Sequence, residues 1–235
     1  MGYTLPRLVR IGFSIVLFAA LSSAACAQNN TSIFIEQVQA ITPDNLCVAT
    51  PDPSAVFWSS GLMDVAYASE YDGELLVGNQ LVSRGDQATM RPESARVQLY
   101  SADLTIFDAS GATLSSFSVP ISGFVDVGSG NTPGYGVVHV PLIDAATAAA
   151  IPPGQTVVSR VKIYGVTLGD IQVETGNWDY PIYVCAGCIK CVCPATADAD
   201  YAKSCNPGQN EAVDCRLATC WNAATGTGCG CKPAA

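Results

Sequence analysis

Eleven cysteines are the residues of this sequence with the clearest chemistry, and their spacing is uneven. Two stand early in the chain, Cys26 and Cys47. The other nine fall within 47 residues: Cys185, Cys188, Cys191, Cys193, Cys205, Cys215, Cys220, Cys229 and Cys231. A set of nine cannot pair entirely within itself. If Cys26 is set aside and the other ten are oxidised, Cys47 must form a disulfide with the C-terminal segment.

The cluster that begins Cys185-x2-Cys188-x2-Cys191-x-Cys193 has two chemical interpretations. Four thiolates can surround one zinc ion. Disulfides are favoured because the chain carries an export leader, because the cysteine density is that of a segment too small for its own core, and because no histidine follows position 139. A redox role for "CAGC" at 185–188 is disfavoured, since no helix is predicted after it. We expect disulfides at Cys47 and at all nine C-terminal cysteines, with no metal or other cofactor.

The N-terminus has the layout of a secretory signal peptide. Arg7 and Arg10 precede an apolar run of 11 residues at 11–21, and small residues follow. This run is much shorter than the roughly 20 residues that cross a bilayer as a helix. We therefore predict an exported protein with a signal peptide at 1–25 and a short tether at 26–31.

The acidic net charge argues against a nucleic-acid partner. The leader holds two basic residues and no acidic one, so its removal changes the net charge from −9 to −11. A surface this acidic repels phosphate backbones, which argues against nucleic-acid binding. It also disfavours adsorption to anionic lipid. Contact with a membrane is therefore expected only through an N-terminal lipid.

The segment 32–184 has the pattern of an antiparallel β-sandwich. Many short, β-rich apolar runs are separated by Gly- and Pro-containing turns. They include the runs at 62–68, 134–143 and 171–185. In the run at 156–168, for example, apolar residues interleave with Arg160 and Lys162, as in a strand with one buried face. Apolar alternation stops at Cys185. The predicted fold is therefore all-β, a sandwich followed by a small disulfide-rich, loop-rich appendage at 185–235.

Three local features within the sandwich are also predicted. The run at 95–108 is either two paired stretches or one strand with a bulge near Ser101. The turn at 109–113 is a hairpin candidate in which Gly111 can adopt a positive φ. The alanine-rich stretch at 141–151 is the single helix candidate.

The candidate catalytic groups lack supporting motifs. His139 is the only histidine, and no G-x-S-x-G elbow supplies a nucleophile for it, so we expect a packed or rim side chain. Glu70, Asp72 and Glu74 could hold calcium, but their spacing does not follow an EF-hand loop. Paired carboxylates could in principle hydrolyse a glycosidic bond. No residue is assigned a catalytic role.

The aromatic side chains could form a sugar platform or pack in the core. The candidates are Trp58, Tyr67, Tyr71, Trp178, Tyr180 and Tyr183. In "NWDYPIY", Trp178, Tyr180 and Ile182 share one face of a strand. Packing against the facing sheet is the favoured interpretation.

Several stretches together resemble an uncharacterised family of exported bacterial lipoproteins with a β domain and a cysteine-rich tail. They include "CVATPDPSAVFWSSGLMDVAY", "LLVGNQLVSRGD" and "VETGNWDYPIYVCAGC". The resemblance implies lipoprotein export with lipid attachment at Cys26, and the family has no established activity to carry over. A departure is Ser23, where a lipobox usually has Leu, Val or Ile. The competing cut at Ala25-Cys26-Ala27 would remove Cys26.

Together these features favour a non-catalytic envelope lipoprotein that is lipidated at Cys26 and acts as a binding or structural module. Its expected partner is a protein or a glycan, and its expected location is the outer membrane or the periplasm. The alternatives are a secreted soluble chain and an extracytoplasmic, glycan-acting hydrolase that uses carboxylates. The ligand, the disulfide connectivity and the oligomeric state stay open.

Overall fold

The computed structural model describes residues 32–42, 46–85, 92–189, 191–192, 205–211 and 213–214. The predicted signal peptide, tether and Cys26 lie outside these residues. The strands and the one described helix are, in chain order, β1 Ile33–Gln39, β2 Phe57–Trp58, β3 Gly61–Asp64, β4 Tyr71–Asn79, β5 Val97–Phe107, β6 Thr113–Val125, β7 Gly134–Ile143, α1 Ala145–Ala150, β8 Gln155–Thr167, β9 Gln172–Glu174, β10 Trp178–Cys185, β11 Cys191–Val192 and β12 Val213–Asp214.

Two sheets form the body of the protein, and the all-β prediction is confirmed. One is four-stranded with the order β2-β1-β4-β7, and the other has the order β3-β10-β8-β5-β6, with β9 paired to β8. Every pairing in these sheets is antiparallel except that of β3 with β10. A separate parallel pair joins β11 to β12.

The core lies between the two sheets, because alternate residues of most strands point inward. Leu75 and Val140 of the first sheet belong to the same buried cluster as Leu104 and Val161 of the second. Ser159 also points inward, and its hydroxyl donates to the carbonyl of Leu142 at 2.7 Å. This bond crosses from one sheet to the other and satisfies a polar group that has no access to water.

The predicted local features of the sandwich are present. Of the two alternatives for the run at 95–108, the bulged strand is the one present: β5 is one strand, and its pairing with β8 shifts register between Leu99 and Ser101. Gly111 has a φ of 86° in the hairpin between β5 and β6. α1 begins after Asp144, whose side chain accepts the backbone N–H of Thr147 as an N-cap. Within the described residues, no helix has the length and apolar character needed to cross a membrane.

One corner of the sandwich depends on glycine. The end of β6 crosses β7 so closely that a Cβ on Gly136 would overlap the carbonyl oxygen of Phe124. A Cβ on Gly134 would overlap the carbonyl of Asp126 in the same way. These two positions let the backbones of the two sheets approach each other where a larger residue would separate them.

The C-terminal segment is attached to the sandwich at the outer edge of β3. Residues 205–211 run beside this strand, where Met63 and Gln209 form an antiparallel bridge. The N–H of Asp64 donates to the carbonyl of Gly208 at 2.8 Å, and the N–H of Asn210 donates to the carbonyl of Leu62 at 2.9 Å. The segment therefore satisfies backbone groups that would otherwise be exposed on a sheet edge.

Candidate functional site

Two disulfides are present within the described residues. Cys47 bonds to Cys205 across a sequence separation of 158 residues, which is the link between early chain and tail that cysteine parity predicts. Cys185 bonds to Cys188 within the CAGC loop. The side chains of the six remaining predicted disulfide cysteines lie outside the description: Cys191, Cys193, Cys215, Cys220, Cys229 and Cys231.

Asp64 is the buried charge at the junction between sandwich and tail. Its side chain is fully buried at the end of β3. One carboxylate oxygen accepts the backbone N–H groups of Gly187 at 2.7 Å and Ala66 at 3.0 Å, and the other accepts that of Ile189 at 2.8 Å. Three backbone donors compensate for the removal of this carboxylate from water. Asp64 therefore holds the CAGC loop against β3.

Sequence reasoning did not single out Asp64. It lies within the apolar run "LMDVAYA" at 62–68. An acidic residue inside an apolar run is the sequence signal that could have indicated a buried carboxylate. The partners of Asp64 in the CAGC loop are more than 120 residues away along the chain, so its role as a brace requires the tertiary structure.

Asp64, Cys185 and Cys188 also form a group whose ligand atoms all lie within 4.8 Å of one another. Such a set could supply three ligands to zinc if both sulfurs were thiolates. In this structure the two sulfurs are bonded to each other, so neither is available as a thiolate ligand. The arrangement favours the structural interpretation of the CAGC loop.

Two buried tyrosines lie beneath the tail segment. The hydroxyls of Tyr71 and Tyr180 are 3.3 Å apart, and the side-chain amide of Asn210 donates to the Tyr71 hydroxyl at 2.6 Å. The oxygen of the same amide accepts the N–H of Leu62 at 2.6 Å. Burial raises the pKa of Tyr71, and burial also raises that of Tyr180. These hydroxyls therefore stay protonated and serve as hydrogen-bonding groups.

His139 lies on the outer surface of β7, as a rim side chain. Its Nδ1 is 2.9 Å from Oε1 of Glu74, its cross-strand partner in β4, and its Nε2 is 3.5 Å from Asp72. The hydrogen bond to Glu74 raises the pKa of His139. Burial raises the pKa of Asp72 despite the opposing charge of His139. Both ring nitrogens of His139 therefore face carboxylates.

The aromatic side chains are distributed as the core-packing interpretation predicts. Tyr180 is buried, and Trp178 stacks on it with the ring centroids 5.5 Å apart. Tyr71 is buried as well, and Trp58 packs against the core. Of the six candidates for an exposed platform, only Tyr183 is strongly exposed.

An open cleft of about 410 Å³ lies at one end of the sandwich. It is lined by residues 79–83 and 128–133, which include Ser83, Asn131 and Thr132. All of its lining side chains are uncharged. Carboxylates that could act as an acid and a base are therefore missing from this lining.

No protein-family model matches this sequence, and no curated protein matches it. Among solved structures, the chain is similar to a late embryogenesis abundant (LEA) protein whose structure was determined in solution. The two share 13% sequence identity, and the match covers 78% of this chain and 95% of that chain with a TM-score of 0.31. At this TM-score the similarity carries no argument about function.

Proposed function

We propose that this protein is an exported lipoprotein of the cell envelope, anchored through Cys26, whose sandwich is a non-catalytic binding or structural module. The observation that carries the proposal is the covalent junction between sandwich and tail. The Cys47–Cys205 disulfide ties the tail to the chain before β2. Asp64 at the end of β3 holds the CAGC loop, which the Cys185–Cys188 disulfide closes. Disulfides of this kind persist in oxidising compartments, which supports a location outside the cytoplasm.

The contacts of the candidate catalytic groups support the non-catalytic part of the proposal. The Asp64 carboxylate accepts hydrogen bonds from backbone N–H groups, and both ring nitrogens of His139 face carboxylates. The cleft at the end of the sandwich has an uncharged lining. A binding function requires none of these groups to react.

Intact mass of the protein from envelope membranes tests the anchor. A mass that corresponds to a chain beginning at a di- or triacylated Cys26 supports the proposal, and a chain beginning at Gln28 overturns the lipoprotein assignment. In the matched variant Cys26→Ser, the protein should move from the membrane fraction to the soluble fraction. The same spectrum counts disulfides, because each bond lowers the mass by two hydrogens.

A glycan-acting hydrolase is the second candidate, and one observation favours it. Asp72 and Glu74 occupy different environments beside His139, and burial raises the pKa of Asp72. Two carboxylates with different environments are what acid–base hydrolysis needs. Hydrolysis of a glycan panel, abolished by Glu74→Gln and by Asp72→Asn, would establish this function in place of the first.

A further inference from the structure

The bulge in β5 places an extra tyrosine on the outer surface of the second sheet. Relative to β8, Tyr100 is the additional residue between the pairs Leu99–Gly165 and Ser101–Tyr164. As a result, Tyr100 and Ser101 are both outside the core, whereas Leu99 is buried. Bulges commonly redirect side chains at functional surfaces. Tyr100 is thereby next along β5 to Ser101, the residue that pairs with Tyr164 of the neighbouring strand.

Both tyrosines are held by hydrogen bonds to side chains on the same surface. The Tyr100 hydroxyl donates to Gln172 at 3.0 Å, and the Tyr164 hydroxyl donates to Asp103 at 2.9 Å. Tyr100 remains 44% exposed. Rings that are already fixed lose little conformational entropy when a ligand packs on them.

The charges around these rings are paired within the surface. Lys162 forms an ion pair with Glu174 at 2.8 Å, and its ammonium group lies 5.4 Å from the centre of the Tyr164 ring. Asp103 also accepts the hydroxyl of Ser118 at 2.6 Å. With one cation and two carboxylates, the surface has no positive excess to attract a polyanion.

We propose that this surface, which we call the tyrosine face and define as Tyr100, Asp103, Lys162, Tyr164, Gln172 and Glu174, binds a neutral glycan chain. The proposal deepens the binding function above and rests on it. The C–H faces of sugar rings are apolar and pack on aromatic rings, and their hydroxyls both donate and accept hydrogen bonds. Fixed tyrosines surrounded by amide, carboxylate and ammonium groups supply both kinds of contact. Lys162 and Glu174 form an ion pair, and the Asp103 carboxylate accepts hydrogen bonds from two hydroxyls, so a neutral ligand can bind without supplying a counter-charge.

The binding experiment uses the exported, fully oxidised protein and defined probes. Hexasaccharides of glucose, N-acetylglucosamine and mannose serve as neutral probes, heparin as a polyanion and decalysine as a basic peptide. We expect at least one neutral hexasaccharide to bind with a Kd below about 1 mM in calorimetry. Failure of all three, or preferential binding of heparin or decalysine, overturns the glycan assignment.

Variants locate the binding site. Tyr100→Ala and Tyr164→Ala should each weaken binding about tenfold, because each removes one stacking surface. Tyr183→Ala is the matched control. Tyr183 is an exposed tyrosine of β10 that pairs with Thr156 of β8. Thr156 and Tyr164 are eight residues apart along β8, which corresponds to about 26 Å. Loss of Tyr183 should change the Kd less than twofold. Equal effects of all three substitutions, or no effect of any, would rule out the tyrosine face.

Two further measurements keep the result interpretable. Tyr100→Phe retains the ring and loses only the bond to Gln172, so binding should weaken less than threefold. Urea unfolding of each variant reports on folding, and the exposed position of Tyr100 makes Tyr100→Ala the decisive variant if Tyr164→Ala does not fold. The mass measurement on Cys26 does not depend on glycan binding. A failed glycan assay therefore does not bear on the lipoprotein assignment, which the mass measurement tests separately.

Discussion

The carboxylate of Asp64 accepts the backbone N–H of Gly187 at 2.7 Å, although the two residues are 123 positions apart in the chain. Gly187 has a φ of 71°, a conformation that glycine adopts without strain. The bond fixes the CAGC loop at the point where β10 ends and the C-terminal segment begins.

Replacing Asp64 with Asn should destabilise the protein by about 2 to 3 kcal/mol, because an amide cannot accept all three backbone N–H bonds. Urea denaturation measures the change in the free energy of unfolding. Asp126→Asn is the control, since Asp126 is an exposed residue whose one ion pair within the described part of the chain is with Arg96 at 2.9 Å. That substitution should cost less than about 0.5 kcal/mol. Equal effects of the two substitutions would show that Asp64 is not a structural brace.

The two disulfides should differ in their resistance to reduction. When a thiol reductant attacks the sulfur of the exposed Cys188, Cys185 must leave as a thiolate. The sulfur of Cys185 is buried, 3.4 Å from the carbonyl oxygen of Met63 and close to the Asp64 carboxylate. Neighbouring oxygens with negative charge disfavour that thiolate. Cys47, in contrast, is an exposed residue.

Limiting dithiothreitol followed by alkylation and peptide mass mapping tests this order. We expect label on Cys47 and Cys205 before label on Cys185 and Cys188. Asp64→Asn should accelerate labelling of the CAGC pair, because it removes the nearby negative charge. Labelling of the CAGC pair first in the native protein would contradict the argument.

His139 should titrate above its usual pKa of 6.5, because Glu74 binds its charged form and Asp72 adds a second negative charge. A folded pKa above the unfolded value means that the stabilisation is complete below pH 6.5. It is lost as the pH rises through the folded pKa. The imidazole is 59% exposed, so its contribution should stay below about 1 kcal/mol.

NMR titration measures this pKa without ambiguity, since the chain contains one histidine. Glu74→Gln should lower the pKa of His139 more than Asp72→Asn does, because the contact with Glu74 is 2.9 Å and that with Asp72 is 3.5 Å. The reverse order would show that the hydrogen bond to Glu74 is not the main cause of the shift.

Gly136→Ala should destabilise the sandwich by about 1 to 3 kcal/mol, because the new Cβ would overlap the Phe124 carbonyl and push β6 away from β7. Thermal unfolding measures the effect. A Cβ on Gly176 would meet no atom within 4 Å, so Gly176→Ala is the matched control. Its effect should stay within about 0.5 kcal/mol. A tolerated Gly136→Ala would mean that the strands do not cross so closely.

Strand positions were predictable wherever alternation and turn residues agreed. β7 begins and ends where the apolar run at 134–143 does, and Gly111 marks a real hairpin. The run at 171–185, in contrast, reads as one segment but forms both β9 and β10. The division arises because β9 pairs with one half of β8 and β10 with the other, and such pairing is a long-range choice that local pattern does not encode.

By itself the sequence determined the all-β class and, if the ten cysteines other than Cys26 are oxidised, the need for Cys47 to join the tail, because periodicity and parity are local or arithmetical properties. It left two alternatives for the run at 95–108, and the pairing of β5 with β8 decided in favour of one bulged strand. Only the tertiary structure decided that Cys205 is the partner of Cys47, that Asp64 braces the CAGC loop, and that Tyr100 and Tyr164 share a surface. Each of these relations joins residues far apart in the chain. They depend on which strands pair and in what register, and many registers satisfy the same apolar pattern.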